Sequence, residues 1–231
     1  MIDNVRKTVH DFIQKENRGW ITPERFNRYA YLAQMEIFES YFYEYNRWLN
    51  YQNKRLTNSG YSDIPKHIKE KIDRFQKEAP MTFVVDSFEP PVDNYRLLDV
   101  FYNNECIDEV TQKRARMLNK SNLTAPSLDC PIHVRSENNV KVYPNTIQTS
   151  VVASYIRVPA RPKWTYIPTG NNPMFNPSAP DYQDFEIHPS DEHKLVHRIL
   201  AYSGITIREA EVVQFAETQQ NKKVVNENNP E

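Results

Sequence analysis

Three histidines are the first residues whose type and spacing suggest chemistry. His193 and His197 stand four apart, beside Asp191 and Glu192, and His188 lies just upstream. That spacing sets two imidazoles on one helical face, where a zinc ion can be held. The order is Glu-His-x-x-x-His, so the carboxylate falls outside the pair and not inside it, as metalloprotease chemistry requires. A third ligand would have to be His188 or a more distant group. The plain alternative is a polar helix face near a partner. Cys106 and Cys130, with His133 close to the second, suggest a thiol and its base, yet nothing around them forms an oxyanion site. We expect two buried structural thiols that act as small hydrophobes. Asp181, Asp184 and Glu186 cluster among prolines and read as a solvated loop. No residue is assigned a catalytic, metal-binding or cofactor-binding role.

Arg157, Arg161, Lys163, Trp164 and Tyr166 interleave cations with aromatic rings. Such a patch stacks on nucleic-acid bases, but Trp, Tyr and Arg also dominate protein–protein hot spots. The 231 residues carry 29 basic and 30 acidic side chains, a formal charge of −1, so no whole-chain basic field favours nucleic acid. The protein partner is preferred. A DNA-binding accessory protein remains an alternative, as does a metal-dependent enzyme built on His188, His193 and His197.

Composition narrows the classes further. Four glycines are too few for a Gly-rich phosphate loop, and two cysteines make neither a disulfide framework nor a zinc ribbon. There is no run long and apolar enough for a membrane span, and MIDNVRKTVHDF lacks a signal-peptide core. The expectation is a soluble, non-enzymatic protein made in a reducing cytoplasm, with no cofactor, no small-molecule substrate and no membrane contact.

The elements that must position these residues read as an α+β chain. Val5, Val9, Phe12 and Ile13 stripe a short helix that Gly19 ends. Thr22-Pro23-Glu24 then starts a long one. Along it Phe26, Tyr29, Ala30, Ala33, Ile37, Tyr41, Tyr45 and Trp48 keep helical spacing, with Tyr31, Phe38, Phe42, Tyr43 and Tyr51 widening the apolar surface. Asn58-Ser59-Gly60 breaks it, and a third helix follows through Ile64, Ile68, Ile72 and Phe75. Residues 1–80 are thus expected to form a helical region, and 81–91 an extended connector. Residues 81–158 read as a mixed region with a small antiparallel sheet. Its parts are a strand at 95–102, a short helix at 109–118, a hairpin over 132–143 and a strand at 149–158. Lys163 to Ile167 is expected to pair with that last strand. Residues 159–189 hold seven prolines and read as an extended binding arm. Residues 190–220 form a C-terminal helix pair, with Gly204 closing the first helix, and 221–231 a polar tail.

SYIRVPARPKWTY from Ser154, DFEIHPSDEH from Asp184 and KLVHRILAYSGITIR from Lys194 together resemble virion structural proteins of crAss-like and related phages of Bacteroidetes. The likeness covers roughly residues 150–217. It implies a ring-forming neck or head-to-tail connector subunit, an adaptor bridging portal and tail. Its partners would be copies of itself in a dodecameric ring, the portal and other neck or tail rings, and packaged DNA in the lumen. Its location would be the virion. The family motif designates no active site. On this reading the interface residues are Arg157, Arg161, Trp164, Tyr166, Phe175, Tyr182, Tyr41, Tyr45 and Trp48, with the strand at 149–158 free to extend a neighbour's sheet.

Overall fold

Residues 1–15, 20–55, 63–121, 123–136, 139–169 and 172–207 are described in the computed structural model. The chain is α+β and divides into two compact units, Met1–Lys71 with Pro159–Glu231, and Ile72–Val158. The helix breaks expected at Gly19 and Asn58–Gly60, the second C-terminal helix beyond Ile207 and the polar tail lie outside the described residues.

The first unit is built on helices α1 (Ile2–Lys15), α2 (Pro23–Arg55) and most of α3 (Asp63–Asp73). In α1 the buried side chains are Ile2, Val5, Val9 and Ile13, one stripe of the helical period. In α2 they are Phe26, Ala30, Ala33, Gln34, Ile37, Phe38 and Tyr41. Thr22 caps α2, its hydroxyl accepting from the Arg25 amide at 3.3 Å. Past Tyr41 the helix is less covered: Tyr45 and Trp48 are half-buried, and Tyr43 and Leu49 are exposed.

The second unit opens with β1 (Gln76–Pro80), so the helical reading of 1–80 is corrected over its last residues. The expected connector is likewise a hairpin of β2 (Thr82–Val84) and β3 (Ser87–Glu89). Then come β4 (Asn94–Tyr102), β5 (Glu105–Cys106), β6 (Asp108–Glu109), α4 (Gln112–Leu118), β7 (Ile132–Arg135), β8 (Val140–Tyr143) and β9 (Val151–Arg157). Asn103 and Asn104, both at positive φ, turn β4 into β5, the geometry of a tight hairpin that asparagine tolerates. The strands form two sheets, β1-β9-β4-β5 and β2-β3-β8-β7-β6, antiparallel except for β6 beside β7. Phe88, Leu97, Val100, Ile107, Val140, Val142, Val151, Ala153 and Tyr155 are buried in one cluster that draws on both.

The strand read at 149–158 is β9, and it is not an edge. It pairs with β1 on one side and β4 on the other, so its backbone has no free ladder for a neighbour. The burial of Val151 and Ala153 to Ile156 in sequence marks an interior strand more than an alternating one. Lys163 to Ile167 does not pair with it either. Lys163 bridges to Gln183, and β10 (Tyr166–Thr169) pairs with β11 (Asn172–Phe175).

The proline-rich segment returns to the first unit and packs into it. Pro159, Pro162, Trp164, Thr165, Phe185 and Ile187 are buried there. Proline denies the segment long ladders, but side-chain and backbone groups on α1 and α2 supply the missing partners. Asn27 brackets Trp164, its amide oxygen accepting from the backbone N–H at 2.8 Å and its Nδ2 donating to the carbonyl at 3.1 Å. Gln34 donates to the Ala160 carbonyl at 2.7 Å and accepts from the Glu186 amide at 3.2 Å. A 3-10 turn, Pro189–Asp191, leads into α5 (Glu192–Ile207), whose Leu195, Val196, Ile199 and Leu200 are buried. Gly204 does not close α5. Ser203 and Gly204 are both buried, and the helix continues through them to Ile207. Glycine inside a helix costs about 1 kcal/mol, which burial of the surrounding turn offsets.

Candidate interaction surface

The histidines do not assemble. His188 caps the 3-10 turn, its Nδ1 accepting from the Ser190 amide at 3.2 Å and lying 2.8 Å from the Ser190 hydroxyl. Asp191 turns into the unit and accepts from Tyr41 and Lys71. Among the described residues no three His, Cys, Asp or Glu side chains gather as a metal site.

Cys106 and Cys130 are both exposed free thiols, which corrects the expectation of burial. Cys106 ends a two-residue edge strand and Cys130 lies in the loop before β7, so neither sits on an inner sheet face. His133 is interior to β7, and burial pushes its imidazole below the ordinary histidine range. Cys130 on the surface and His133 in the core do not make a thiol–base couple.

Of the acidic trio Asp181 is exposed, as expected of a solvated loop, whereas Asp184 and Glu186 are half-buried and bonded into the fold. Asp184 accepts from the Ile2 amide at 2.8 Å and the Met1 amino group at 3.0 Å, which caps the start of α1 across the fold. Glu186 accepts from the Ala160 amide at 2.7 Å, and Asp181 pairs with Lys163. All three hold the proline-rich segment in place.

The mixed cation–aromatic patch is consumed by its own chain. Trp164 is 2% exposed, its indole N–H donates to Asp3 at 3.1 Å, and the Arg6 guanidinium lies 3.6 Å from its ring centre. Tyr166 and Phe175 lie nearly parallel to it with centroids 5.7 and 5.8 Å away, and Tyr182 meets Phe175 edge-on at 5.7 Å. Arg161 covers Tyr31 at 4.6 Å. Arg157 belongs to the other unit, where it sits over Phe75 at 5.9 Å. Tyr41 is fully buried. Trp164 and Tyr41 therefore leave the set of interface residues, because packing inside the subunit already covers them. Arg161 and Tyr166 stay exposed, while Tyr45, Trp48, Phe175 and Tyr182 are half-buried.

Two exposed features went unread in the sequence. On the β10–β11 hairpin, Ile167 and Met174 are cross-strand partners, 51% and 61% exposed. Their neighbours Tyr166 and Phe175 turn to Trp164, and the period-two alternation of a strand sends this pair outward. Prolines at 168 and 173 masked that alternation. The second feature is α4 and the turn after it, where Lys113, Arg114, Arg116 and Lys120 are all exposed. Two open grooves, not enclosed cavities, lie beside α4. No helix of the described residues is long and apolar enough to cross a membrane. No protein-family model matches the chain, and no curated protein matches it in sequence.

Proposed function

We propose that the chain is a structural subunit of a phage virion, a ring-forming neck or head-to-tail connector that bridges portal and tail and surrounds part of the DNA passage. The observation that carries this reading is the exposed apolar surface on both units. One unit leaves Phe12, Trp20, Leu32, Ile167 and Met174 open, and the other Val92, Leu98, Leu123 and Leu128. Ile167 and Met174 adjoin each other across the β10–β11 hairpin, adjoining exposed apolar side chains are the kind of surface on which other proteins dock, and a head-to-tail ring needs two unlike adhesive faces on every copy. The resemblance of residues 150–217 to virion structural proteins of crAss-like and related phages, which implies a connector, supports the same reading. Those residues supply β9, the buried Trp164 turn and α5, which are scaffold and not a reaction centre.

Mass photometry and electron microscopy of the purified chain, together with peptide mapping of virions from the phage that encodes it, test the proposal. The expected result is closed rings at high concentration and the chain among virion proteins, with ring formation lost in Ile167→Asp/Met174→Asp. A chain missing from virions and monomeric at every concentration overturns it.

A further inference from the structure

The outer face of α4 and of the turn after it carries charge of one sign. From Val110 to Leu128 the chain has four cations, Lys113, Arg114, Arg116 and Lys120, and no carboxylate, although the whole chain carries a charge of −1. Thr111 caps the helix, its hydroxyl accepting from the Arg114 amide at 3.4 Å. Ala115 is buried and Leu118 half-buried, which fixes the inward side. Lys113, Arg116 and Met117 then fall at i, i+3 and i+4 on the outward side, and with Gln112 and with Lys120 in the turn just past the helix they line one open groove. Among the described residues no carboxylate pairs with any of the four cations. This contrasts with Lys163, Lys141 and Arg198, which are each held by an acidic side chain.

We propose that this face of α4 docks the phosphate backbone of duplex nucleic acid without reading its sequence. Two features favour that occupant over an acidic protein or a single strand. No Phe, Trp or Tyr occurs between Tyr102 and Tyr143, so the face lacks both the aromatic anchors of protein hot spots and the rings on which unpaired bases stack. What flanks the cations instead is Gln112, Asn119, Ser121 and Thr124, side chains that donate to phosphate oxygens. The inference does not require ring formation, and the oligomeric state is read in the same samples.

The test is a fluorescence-anisotropy titration of the full chain with a mixed-sequence duplex over a salt series. Three outward cations engaging phosphates give an affinity that falls about forty-fold between 50 and 200 mM salt. Lys113→Gln/Arg116→Gln/Lys120→Gln is expected to weaken binding more than ten-fold at 50 mM salt and to remove most of the salt slope. Arg116→Gln alone is expected to remove about one phosphate's share of it. The equal-charge control Lys66→Gln/Lys69→Gln/Lys77→Gln is expected to bind as the parent does. No binding at 50 mM salt overturns the proposal. So does an equal loss in the control, which would make the effect one of net charge. Tighter binding of polyglutamate than of the duplex also overturns it, in favour of an acidic protein partner.

Discussion

Tyr41 on α2 donates its hydroxyl to the Asp191 carboxylate at 2.8 Å, linking residues 150 positions apart inside the first unit. Lys71 donates to the same oxygen at 2.7 Å, and Lys194 stands 3.3 Å from the other. Burial acts to raise the Asp191 carboxyl, but the hydrogen bonds from Lys71 and Tyr41 and the two lysine charges hold it below the usual carboxylate range. The same surroundings, burial first, drive the Tyr41 hydroxyl far above the ordinary tyrosine range. Tyr41 therefore stays neutral and remains the donor.

A carboxyl that is more acidic folded than unfolded adds stability above its unfolded value, about pH 3.9, and loses it as pH falls through the lower folded value. Acid unfolding followed by circular dichroism is expected to show this loss below about pH 4. Asp191→Asn is expected to cost about 2–3 kcal/mol at neutral pH and to flatten the acid limb. Tyr41→Phe is expected to cost about 1–2 kcal/mol. An unchanged acid limb in Asp191→Asn would mean that another carboxylate governs acid unfolding.

Trp164 is buried between Arg6 and a stack of two rings, whereas Trp20 is exposed. Trp164→Ala is expected to cost about 3–5 kcal/mol in thermal or denaturant unfolding. Trp164→Phe is expected to cost less and to remove the blue-shifted part of the native tryptophan emission. Emission that stays unshifted on that substitution would place the buried indole elsewhere.

Both thiols are open to solvent, so the native chain is expected to titrate two cysteines with an aromatic disulfide reagent without denaturant. Burial, then the charges of Asp99 and Asp108, push the Cys106 thiol up. Less of it is thiolate at neutral pH. Cys130→Ser, which leaves Cys106, is expected to alkylate more slowly in the native state than after unfolding in denaturant. The reverse order would contradict the assigned surroundings.

Val85 turns β2 into β3 with φ at 57° and a fully solvent-facing side chain. A β-branched residue in the left-handed region carries about 1–2 kcal/mol of strain. Val85→Gly and Val85→Asn are expected to raise stability by about 1 kcal/mol, measured as the denaturant midpoint. A loss of stability in both would show that the strain is compensated by the turn.

Sequence patterns of period 3.6 and period 2 located most elements, because those repeats are written in neighbouring residues. The stripe Val5, Val9, Ile13 and the alternation on either side of Ser136 are examples. Gly204 misled because a helix stop depends on what surrounds the glycine. Pro80, Pro168 and Pro173 obscured short strands because proline on an edge strand removes only a donor that faces away from the ladder. The α4 face was present in the sequence as a run of cations without acids. The whole-chain balance near zero hid it, since net charge averages over separate surfaces.

By itself the sequence determined the α+β class, the aromatic helix α2 and the central strand β9 as a strand, since each follows from local spacing. Only the tertiary structure decided which adhesive residues remain adhesive. Trp164, Tyr41, Asp184 and Glu186 find partners on α1, on α2 and in the 3-10 turn before α5, more than a hundred residues away in several cases. Ile167 and Met174, which meet only across their own hairpin, and the cations of α4 and its following turn stay exposed. Stickiness is a property of a side chain, but availability is set by long-range packing, and no local pattern encodes that.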